Sequence, residues 1–382
     1  MLNILHITTF LNGGAGKALV DLVNYQKNLG HNIRVVVNRR EYGEYKHYPE
    51  HIASLKALGV KTDYYDSLFK RDQKLNKAAI KSLSQSLENH ASFHLVHAHA
   101  AMPARIALDT FSAHREKPKF IQTMHGWGLN KSRVMEKQDI ETMNSLDVVV
   151  SLNNSGKRLL VKKGLATSKI EIIPNGINSK TPNSKYFENQ IESFIDRDDW
   201  HLRFLCIGEI GKTKNQVFLL KALKDLELLG FKCCVVFIGP EQKKGYLARE
   251  LCSTNTNHLT YWTGQIKEAS SYMHYFDALI LPSKSEGMPL SALEAFRAKI
   301  PFLGSDIPEF NDFVNHQRTG FLFSTKKTEF FINLIQKYDK KLWKTVSQNA
   351  HKEFLSNYNL EQMGSSYEKL YSNLLDSTLF NY

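Results

Sequence analysis

Short apolar, β-rich runs alternate with helix-forming segments along most of this sequence, and that alternation limits the possible folds more than any other feature. The runs predicted as strands in the first half are Asn3–Thr8, Ile33–Val37, Phe93–Ala98, Phe120–Met124, Val148–Ser151 and Ile170–Ile173. Segments with helical periodicity separate them, and the same order resumes after residue 200. Repeated strand-helix-strand units predict parallel sheets with helices on both faces, an α/β fold of doubly wound sheets.

The alternation is interrupted between residues 175 and 200, where Pro182-Asn183-Ser184 and the acidic run Asp196–Asp199 indicate a linker. We therefore predict a Rossmann-like domain at 1–178, a linker at 179–200 and a second Rossmann-like domain at 201–358. A final helix within 359–382 is expected, and it is expected to cross back to the first domain. Two such domains that face each other across a cleft would bind ligands at the carboxyl ends of their strands.

Composition points to a globular protein, with 42% hydrophobic and 23% charged residues. No window approaches the roughly 18 consecutive apolar residues that a membrane span needs. The amino terminus lacks a basic segment and runs directly into a predicted strand, unlike a signal peptide. We expect a cytoplasmic protein whose four cysteines are small buried hydrophobes.

Most of the net charge of +12 lies in residues 1–175, which hold 25 basic and 15 acidic residues. Such a basic half favours a phosphorylated substrate or an anionic membrane surface. Nucleic acid is not expected as a partner, because the aromatic, zinc-finger and Arg-rich signatures of its recognition are absent from the sequence. A basic stripe, read either as a solvated helix face or as a contact with the inner membrane face, consists of Lys70, Lys74, Lys77 and Lys81.

A glycine-rich turn, Asn12–Lys17, follows the first predicted strand. It contains Gly13, Gly14 and Gly16 and precedes a helix, so its backbone amides would attract a phosphate. The simpler interpretation is a tight strand-to-helix turn.

His125 and Gly126 end another strand of the same domain, where a neutral imidazole could donate a hydrogen bond to a sugar hydroxyl. A structural role is the simpler interpretation of a single histidine. His97 and His99 alternate on a strand end, but no carboxylate or cysteine accompanies them, so no metal site is predicted.

Glu286 and Glu294 flank the predicted start of a helix at Pro289. The amides from Gly287 to Ser291 would form a second anion site. Glu294, one to two turns into that helix, could accept hydrogen bonds from both hydroxyls of a ribose, and Glu286 could reach a transferred sugar. The alternative is a surface glutamate on an amphipathic helix.

A Glu-Gly-x-Pro sequence with a second Glu eight positions after the first resembles a motif of retaining GT-B glycosyltransferases, particularly glycosyltransferase family four. Further segments resemble signatures of that family in the expected order. They are the Gly-Gly loop at Gly13–Ala15, the His-Gly loop at Thr123–Gly126, the domain boundary at Ile172–Ile177 and the donor-phosphate lysine at Lys214.

The resemblance implies two Rossmann-like domains of the GT-B type and a nucleoside-diphosphate sugar as co-substrate, with no other cofactor and no metal. The first domain would bind the acceptor and the second the donor. Lys214 would neutralise the diphosphate, Glu294 would hold the ribose, and Glu286 and His125 would contact the sugar. The implied catalytic set is His125, Lys214 and Glu286; the implied donor-binding set is Gly13, Gly14, Gly16, Lys214, Gly287, Met288, Pro289, Leu290 and Glu294.

Glu209 departs from the family pattern, which often has an arginine there, and Lys212 or another nearby cation would replace that arginine. The Asp196-Arg197-Asp198 sequence matches the metal-binding triplet of the other major glycosyltransferase fold, but its place in the predicted linker indicates solvated charge.

The implied function is retaining transfer of a sugar to a hydroxyl of a glycan or lipid-linked acceptor in cell-surface polysaccharide synthesis. A sugar-nucleotide epimerase or phosphorylase of the same fold remains an alternative, and so does a non-catalytic protein that docks on membranes.

Overall fold

The computed structural model describes residues 1–41, 46–66, 73–88, 92–128, 131–182 and 189–376, without the side chains at 73–75, 189–190 and 248. It divides the chain into two compact units, one formed by Met1–Ile177 together with the segment from Leu360 onward, and the other by Asn178–Asn359. Among the described residues, no helix is both long and apolar enough to cross a membrane.

The first unit contains a parallel seven-stranded sheet with the strand order β3-β2-β1-β4-β5-β6-β7. Its strands are β1 (Asn3–Ile7), β2 (Asn32–Asn38), β3 (Lys61–Tyr65), β4 (Leu95–Ala98), β5 (Lys119–Met124), β6 (Val148–Ser151) and β7 (Ile170–Ile172). Its helices are α1 (Gly13–Asn28), α2 (Pro49–Ala57), α3 (Gln73–Leu87), α4 (Ala101–Phe111), α5 (Arg133–Asn144) and α6 (Asn154–Lys162).

The second unit contains a parallel six-stranded sheet with the order β10-β9-β8-β11-β12-β13. Its strands are β8 (Leu202–Ile207), β9 (Cys233–Ile238), β10 (Thr260–Trp262), β11 (Ala278–Leu281), β12 (Phe302–Ser305) and β13 (Phe321–Phe323). Its helices are α7 (Asn189–Ile195), α8 (Gln216–Leu228), α9 (Tyr246–Thr254), α10 (Leu290–Ala298), α11 (Pro308–Asn311), α12 (Thr328–Gln336) and α13 (Lys340–Asn357), and Ala269–Tyr275 forms a 3₁₀ helix.

Both sheets reverse their strand order beside their first strand, between β1 and β4 in one unit and between β8 and β11 in the other. The central strands are buried on both faces; all of β4, β6, β9 and β11 is inaccessible or nearly so. This two-sided burial explains their continuous apolar sequences. The predicted α/β class with two doubly wound sheets is confirmed.

The last helix, α14 (Leu360–Asp376), belongs to the first unit and packs on α1. Tyr25 donates a hydrogen bond to Glu361, and His31 Nε2 lies 2.8 Å from a carboxylate oxygen of Glu368. A Cβ atom at Gly364 would lie 2.4 Å from the ring of Tyr25, so only glycine allows this close approach.

The predicted linker and one predicted cysteine environment differ from the structure. Residues 189–195, placed in a linker, form helix α7 in the second unit, because Ile191 and Ile195 are buried hydrophobic positions one turn apart. Cys252, predicted to be buried, is exposed near the end of α9, whereas Cys206, Cys233 and Cys234 are buried in β8 and β9.

Candidate active site

Lys214 lies in the turn that joins β8 to α8, at the carboxyl end of the first strand of the second sheet. Gly208 directly follows β8 with φ +151°, and a Cβ atom there would lie 3.7 Å from Cε of Lys214. Gly239, after the neighbouring β9, is also needed as glycine, since a Cβ atom would lie 2.1 Å from the carbonyl oxygen of Gly208. The two glycines let the strand ends come together under the lysine side chain.

Lys214 and Glu286 form an ion pair. The Nζ atom of Lys214 lies 2.6 Å and 2.7 Å from the two carboxylate oxygens of Glu286, and Ser283 donates a further hydrogen bond of 2.6 Å to the same carboxylate. The Glu286 side chain is 7% exposed and that of Lys214 is 27% exposed. Burial raises the pKa of the neighbouring Cys206 thiol to about 12, so it remains protonated beside the pair.

Helix α10 begins directly after the Glu286 loop, with Pro289 at its N-cap. The N-cap residue makes no side-chain capping bond and the first turn contains no acidic residue, so neither of them neutralises the positive end of the helix dipole. Leu290 and Met288 are buried, whereas Gly287 and Pro289 are half-buried. Half-buried Glu294 lies in the second turn of the same helix.

Two further lysines lie next to Lys214. Lys212 is exposed two residues earlier, and exposed Lys284 is joined to the same turn, because its backbone amide donates to the carbonyl of Thr213 at 2.8 Å. Glu209 is exposed and its carbonyl accepts a hydrogen bond from Gln216. Sequence reasoning had not considered Lys284, whose proximity to Lys214 depends on the pairing of two loops 71 positions apart.

In the first unit, the predicted glycine-rich turn is the first turn of α1, which begins at Gly13 rather than at Lys17. The sequence predicts a turn here because glycine is a poor helix former. In the structure Gly13 has φ +52°, and Gly16 packs closely against the backbone of Leu11. A Cβ atom at Gly16 would lie 2.8 Å from the backbone of Leu11. Gly13 and Gly14 are exposed and Asn12 makes no side-chain capping bond, so the amino end of α1 is open to an anion.

His125 directly follows β5 and is half-buried. Its Nε2 lies 3.0 Å from Nδ1 of His99, and its own Nδ1 is buried with no hydrogen-bonding partner among the described residues. Burial lowers the pKa of His125 to about 4, so the ring is neutral at physiological pH. A Cβ atom added at the next residue, Gly126, would have no described atom within 4 Å other than those of its chain neighbours.

Other predicted residues lie away from these strand ends. The acidic run Asp196–Asp199 is exposed, and Asp199 pairs with Arg197 at 3.3 Å and with Lys232 at 3.1 Å. Of the basic stripe, Lys77 and Lys81 are exposed one turn apart on α3. Lys70 and the side chain of Lys74 lie outside the described residues.

Within the second unit, the structure thus brings Lys214, Glu286 and the start of α10 together beside the β8–β11 reversal. Within the first unit, the amino end of α1 follows β1 and His125 follows β5, with only β4 between these strands. Ligands bind in open α/β sheets at such reversals. Sequence reasoning did not identify His6, Gln26 and Tyr371, which form one hydrogen-bonded network with His99 and His125.

Known proteins resemble this chain in sequence and in fold. Residues 12–181 match a family described as Glycosyltransferase Family 4, and residues 188–353 match Glycosyl transferases group 1. The sequence is 25% identical over 309 residues to the O-antigen biosynthesis glycosyltransferase WclY of Escherichia coli, covering 78% of this chain and 85% of that protein.

A second Escherichia coli protein, UDP-Gal:alpha-D-GlcNAc-diphosphoundecaprenol alpha-1,3-galactosyltransferase, is 23% identical over 352 residues, covering 84% of this chain and 88% of its own length. Among solved structures, that of Anabaena HepE in complex with UDP and glucose is similar, with a TM-score of 0.83 and 13% identity, covering 98% of this chain and 100% of that one.

Proposed function

Because the chain belongs to the group 1 glycosyltransferases and has their GT-B fold, we propose that it moves a sugar from a nucleoside-diphosphate sugar to a hydroxyl of a lipid-linked glycan, with retention at the anomeric carbon. The observation that carries this proposal is the position of the Lys214–Glu286 pair next to the amino end of α10, beside the β8–β11 reversal. Lys214 and the uncapped amino end of α10 are the two groups there that suit a diphosphate.

The reaction breaks the bond between the anomeric carbon and the diphosphate oxygen while the acceptor oxygen forms a new bond to that carbon and passes its proton to the departing diphosphate. Negative charge grows on the departing diphosphate, so groups that stabilise it lower the barrier. Lys214 and the α10 dipole supply that stabilisation without a metal ion. Glu294, in the second turn of α10, would accept the ribose hydroxyls of a nucleotide whose phosphates lie at the helix start.

Glu286 is proposed to contact the donor sugar after Lys214 has turned to the diphosphate. Its carboxylate is held by Ser283 as well as by Lys214, so it keeps one anchor when the lysine changes partner. Lys284 and Lys212, both exposed beside Lys214, are the candidates for the second cation that the family provides as an arginine.

The proposed acceptor is a glycan on a lipid diphosphate, the class that the name of the galactosyltransferase relative contains. An acceptor of that kind is confined to a membrane surface, and the basic first half of the chain would be attracted to anionic lipids. We accordingly propose a peripheral location on the inner membrane face and a role in polysaccharide synthesis.

The test is an assay with purified full-length protein. A panel of nucleotide sugars is first ranked by the rise in melting temperature, and the best donor is then incubated with lipid-linked glycan acceptors. We expect a new glycosidic bond whose anomeric configuration, read by NMR, matches that of the donor. Inverted product would contradict the proposed stereochemistry. Conversion of the donor with no need for a glycan acceptor would instead indicate an epimerase or phosphorylase.

A further inference from the structure

A hydrogen-bonded relay of buried side chains runs through the first unit and ends at His125. The Nε2 atom of His6 lies 2.8 Å from Oε1 of Gln26, and Nδ1 of His6 lies 3.1 Å from Nε2 of His99. The Nδ1 atom of His99 lies 3.0 Å from Nε2 of His125. His6 and Gln26 are completely buried and His99 is 8% exposed, so water does not interrupt the chain of contacts.

The three rings of His6, His97 and His99 lie close enough to suggest a metal site. Their ring nitrogens are all in hydrogen bonds already, since His97 bonds Tyr371 at 2.8 Å and Thr123 at 2.7 Å. A metal would have to break several of these buried bonds, each of which leaves a polar group unsatisfied. The cluster is therefore better suited to fix which nitrogen of each ring carries the proton than to bind an ion.

Burial keeps all four rings neutral. It lowers the pKa of His6 and of His125 to about 4, and it lowers the pKa of His97 and His99 well below the usual value. A neutral imidazole has one N–H donor and one nitrogen acceptor. Once one nitrogen of such a ring is known to donate, the other must accept.

The direction of the relay is set at Gln26. Its amide nitrogen donates to the hydroxyl of Tyr371 at 3.1 Å, which leaves its oxygen facing His6. His6 must therefore donate through Nε2 and accept through Nδ1. The proton for that second bond comes from Nε2 of His99, so Nδ1 of His99 accepts in turn, and Nε2 of His125 is its donor.

We propose that Gln26, His6 and His99 are positioning residues that hold His125 in the tautomer with the proton on Nε2, so that its unpaired Nδ1 accepts a hydrogen bond from a hydroxyl of the bound substrate. The sugar hydroxyl in this statement rests on the proposed function; the tautomer does not. The sequence alone suggested that His125 donates to the sugar, and the relay assigns the opposite direction. The buried, unpartnered Nδ1 is the group that such a hydroxyl would satisfy.

Tyr371 of α14 acts on the same relay from its far end. It accepts from Gln26, and its own proton is available to His97, whose other nitrogen then donates to Thr123. If the Gln26 amide turned over, every bond from Gln26 to His125 would reverse and Nδ1 of His125 would become a donor. The hydroxyl of Tyr371 and the amide of Gln26 thus determine whether Nδ1 of His125 accepts or donates a hydrogen bond.

The first experiment measures the tautomer directly in the full-length protein labelled with ¹⁵N-histidine. Long-range ¹H–¹⁵N correlation spectra distinguish a ring protonated on Nε2 from one protonated on Nδ1, and a His125→Asn variant identifies the signals. We expect Nε2 of His125 to carry the proton in the absence of any substrate. A proton on Nδ1 would overturn the proposal, whatever reaction the enzyme catalyses.

The second experiment changes Gln26. Gln26→Glu loses the amide that donates to Tyr371 but keeps an oxygen acceptor for His6, so it should keep the proton of His125 on Nε2. Gln26→Met removes the acceptor and should give a mixture of tautomers with a loss of about tenfold in kcat/KM for the best donor, the equivalent of one hydrogen bond. The matched control is Gln122→Met, a buried glutamine on β5 whose Oε1 has no partner among the described residues.

The control should leave the His125 tautomer unchanged. Equal kinetic losses in Gln26→Met and in Gln122→Met would mean that core packing, and not the relay, accounts for the effect. A wild-type tautomer with unchanged kinetics in Gln26→Met would show that the relay does not serve the substrate. If no donor is turned over by the wild type, the proposed function fails while the spectra still decide the tautomer.

Discussion

The ammonium group of Lys214 bonds both carboxylate oxygens of Glu286, at 2.6 Å and 2.7 Å, on two loops that follow adjacent strands of the second sheet. The lysine proposed to bind the diphosphate is therefore already neutralised when no substrate is present. Diphosphate binding must compete with this carboxylate, and the exchange leaves Glu286 free to accept hydrogen bonds from the sugar.

Replacing the lysine should slow transfer more than it weakens binding. In Lys214→Met the charge that stabilises the departing diphosphate is lost, and removal of one such contact raises the barrier by about 2.7–4 kcal/mol. We expect kcat to fall by about 10²–10³-fold with a much smaller change in KM, measured by steady-state kinetics. An unchanged kcat with a raised KM would transfer the role to Lys212 or Lys284.

Replacing Glu286 by a neutral residue should strengthen nucleotide binding and slow turnover, unlike the loss of Lys214. Glu286→Gln can keep the hydrogen bond from Ser283 but no longer holds the lysine charge, so Lys214 becomes available to phosphate. We expect nucleoside diphosphate to bind more tightly, by up to about tenfold, while turnover falls. Isothermal titration with a panel of nucleoside diphosphates measures the first effect. Weaker binding in this variant would contradict competition between the two anions.

Removing the proposed ribose ligand should affect binding chiefly. Glu294 lies in the second turn of α10, and a charged hydrogen bond contributes about 1.5–3 kcal/mol, so Glu294→Ala should weaken nucleotide binding by about tenfold or more. Glu329→Ala, at an exposed position on α12, is the control. Wild-type affinity in Glu294→Ala, measured by titration, would remove this residue from the site.

Chelation should leave transfer intact. The positive charge in the proposed site comes from Lys214 and from helix amides, and the exposed Asp196–Asp199 run lies away from it, with Asp199 paired to Arg197 and Lys232. Initial rates measured with and without EDTA should agree. Loss of activity in EDTA that manganese or magnesium restores would refute this account of the site.

The basic stripe should bind anionic membranes. Substitution of Lys70, Lys74, Lys77 and Lys81 by Gln removes about 1 kcal/mol of attraction per residue near an anionic surface. We expect loss of co-sedimentation with anionic vesicles at low salt and unchanged donor turnover. Lys340→Gln with Lys341→Gln, exposed on α13, is the control. Wild-type protein that stays in the supernatant at low salt would show that the stripe is only a solvated face.

The buried strands were predictable because strands buried on both faces have continuous apolar sequences. Val148–Ser151 has the predicted bounds, and the strands Cys233–Ile238 and Ala278–Leu281 are likewise continuous apolar runs. The strand β3 was missed since its sequence, Lys-Thr-Asp-Tyr-Tyr, is polar as befits the edge of a sheet. Helix α2 was missed because His51 and Leu55 are its only buried residues, so its sequence has little apolar periodicity.

The candidate site was predictable only in part. Local patterns place Lys214, Glu286 and His125 after strands, which is where the structure has them. They do not reveal the Lys214–Glu286 pair, which depends on side-chain conformations across 72 positions of sequence. The bond from Gln26 to Tyr371 spans 345 positions, and a single sequence contains no signal for such a pairing.

The return of α14 to the first unit fixes the order in which the molecule can be completed during synthesis. The second unit is one continuous stretch, Asn178–Asn359, and can fold once it has left the ribosome. The first unit is synthesised earlier, but its core is completed only when Met363 and Tyr371 have been added. The amino-terminal half of the chain is thus the last to reach its native state, and a nascent chain released before residue 371 would carry an unfinished histidine network.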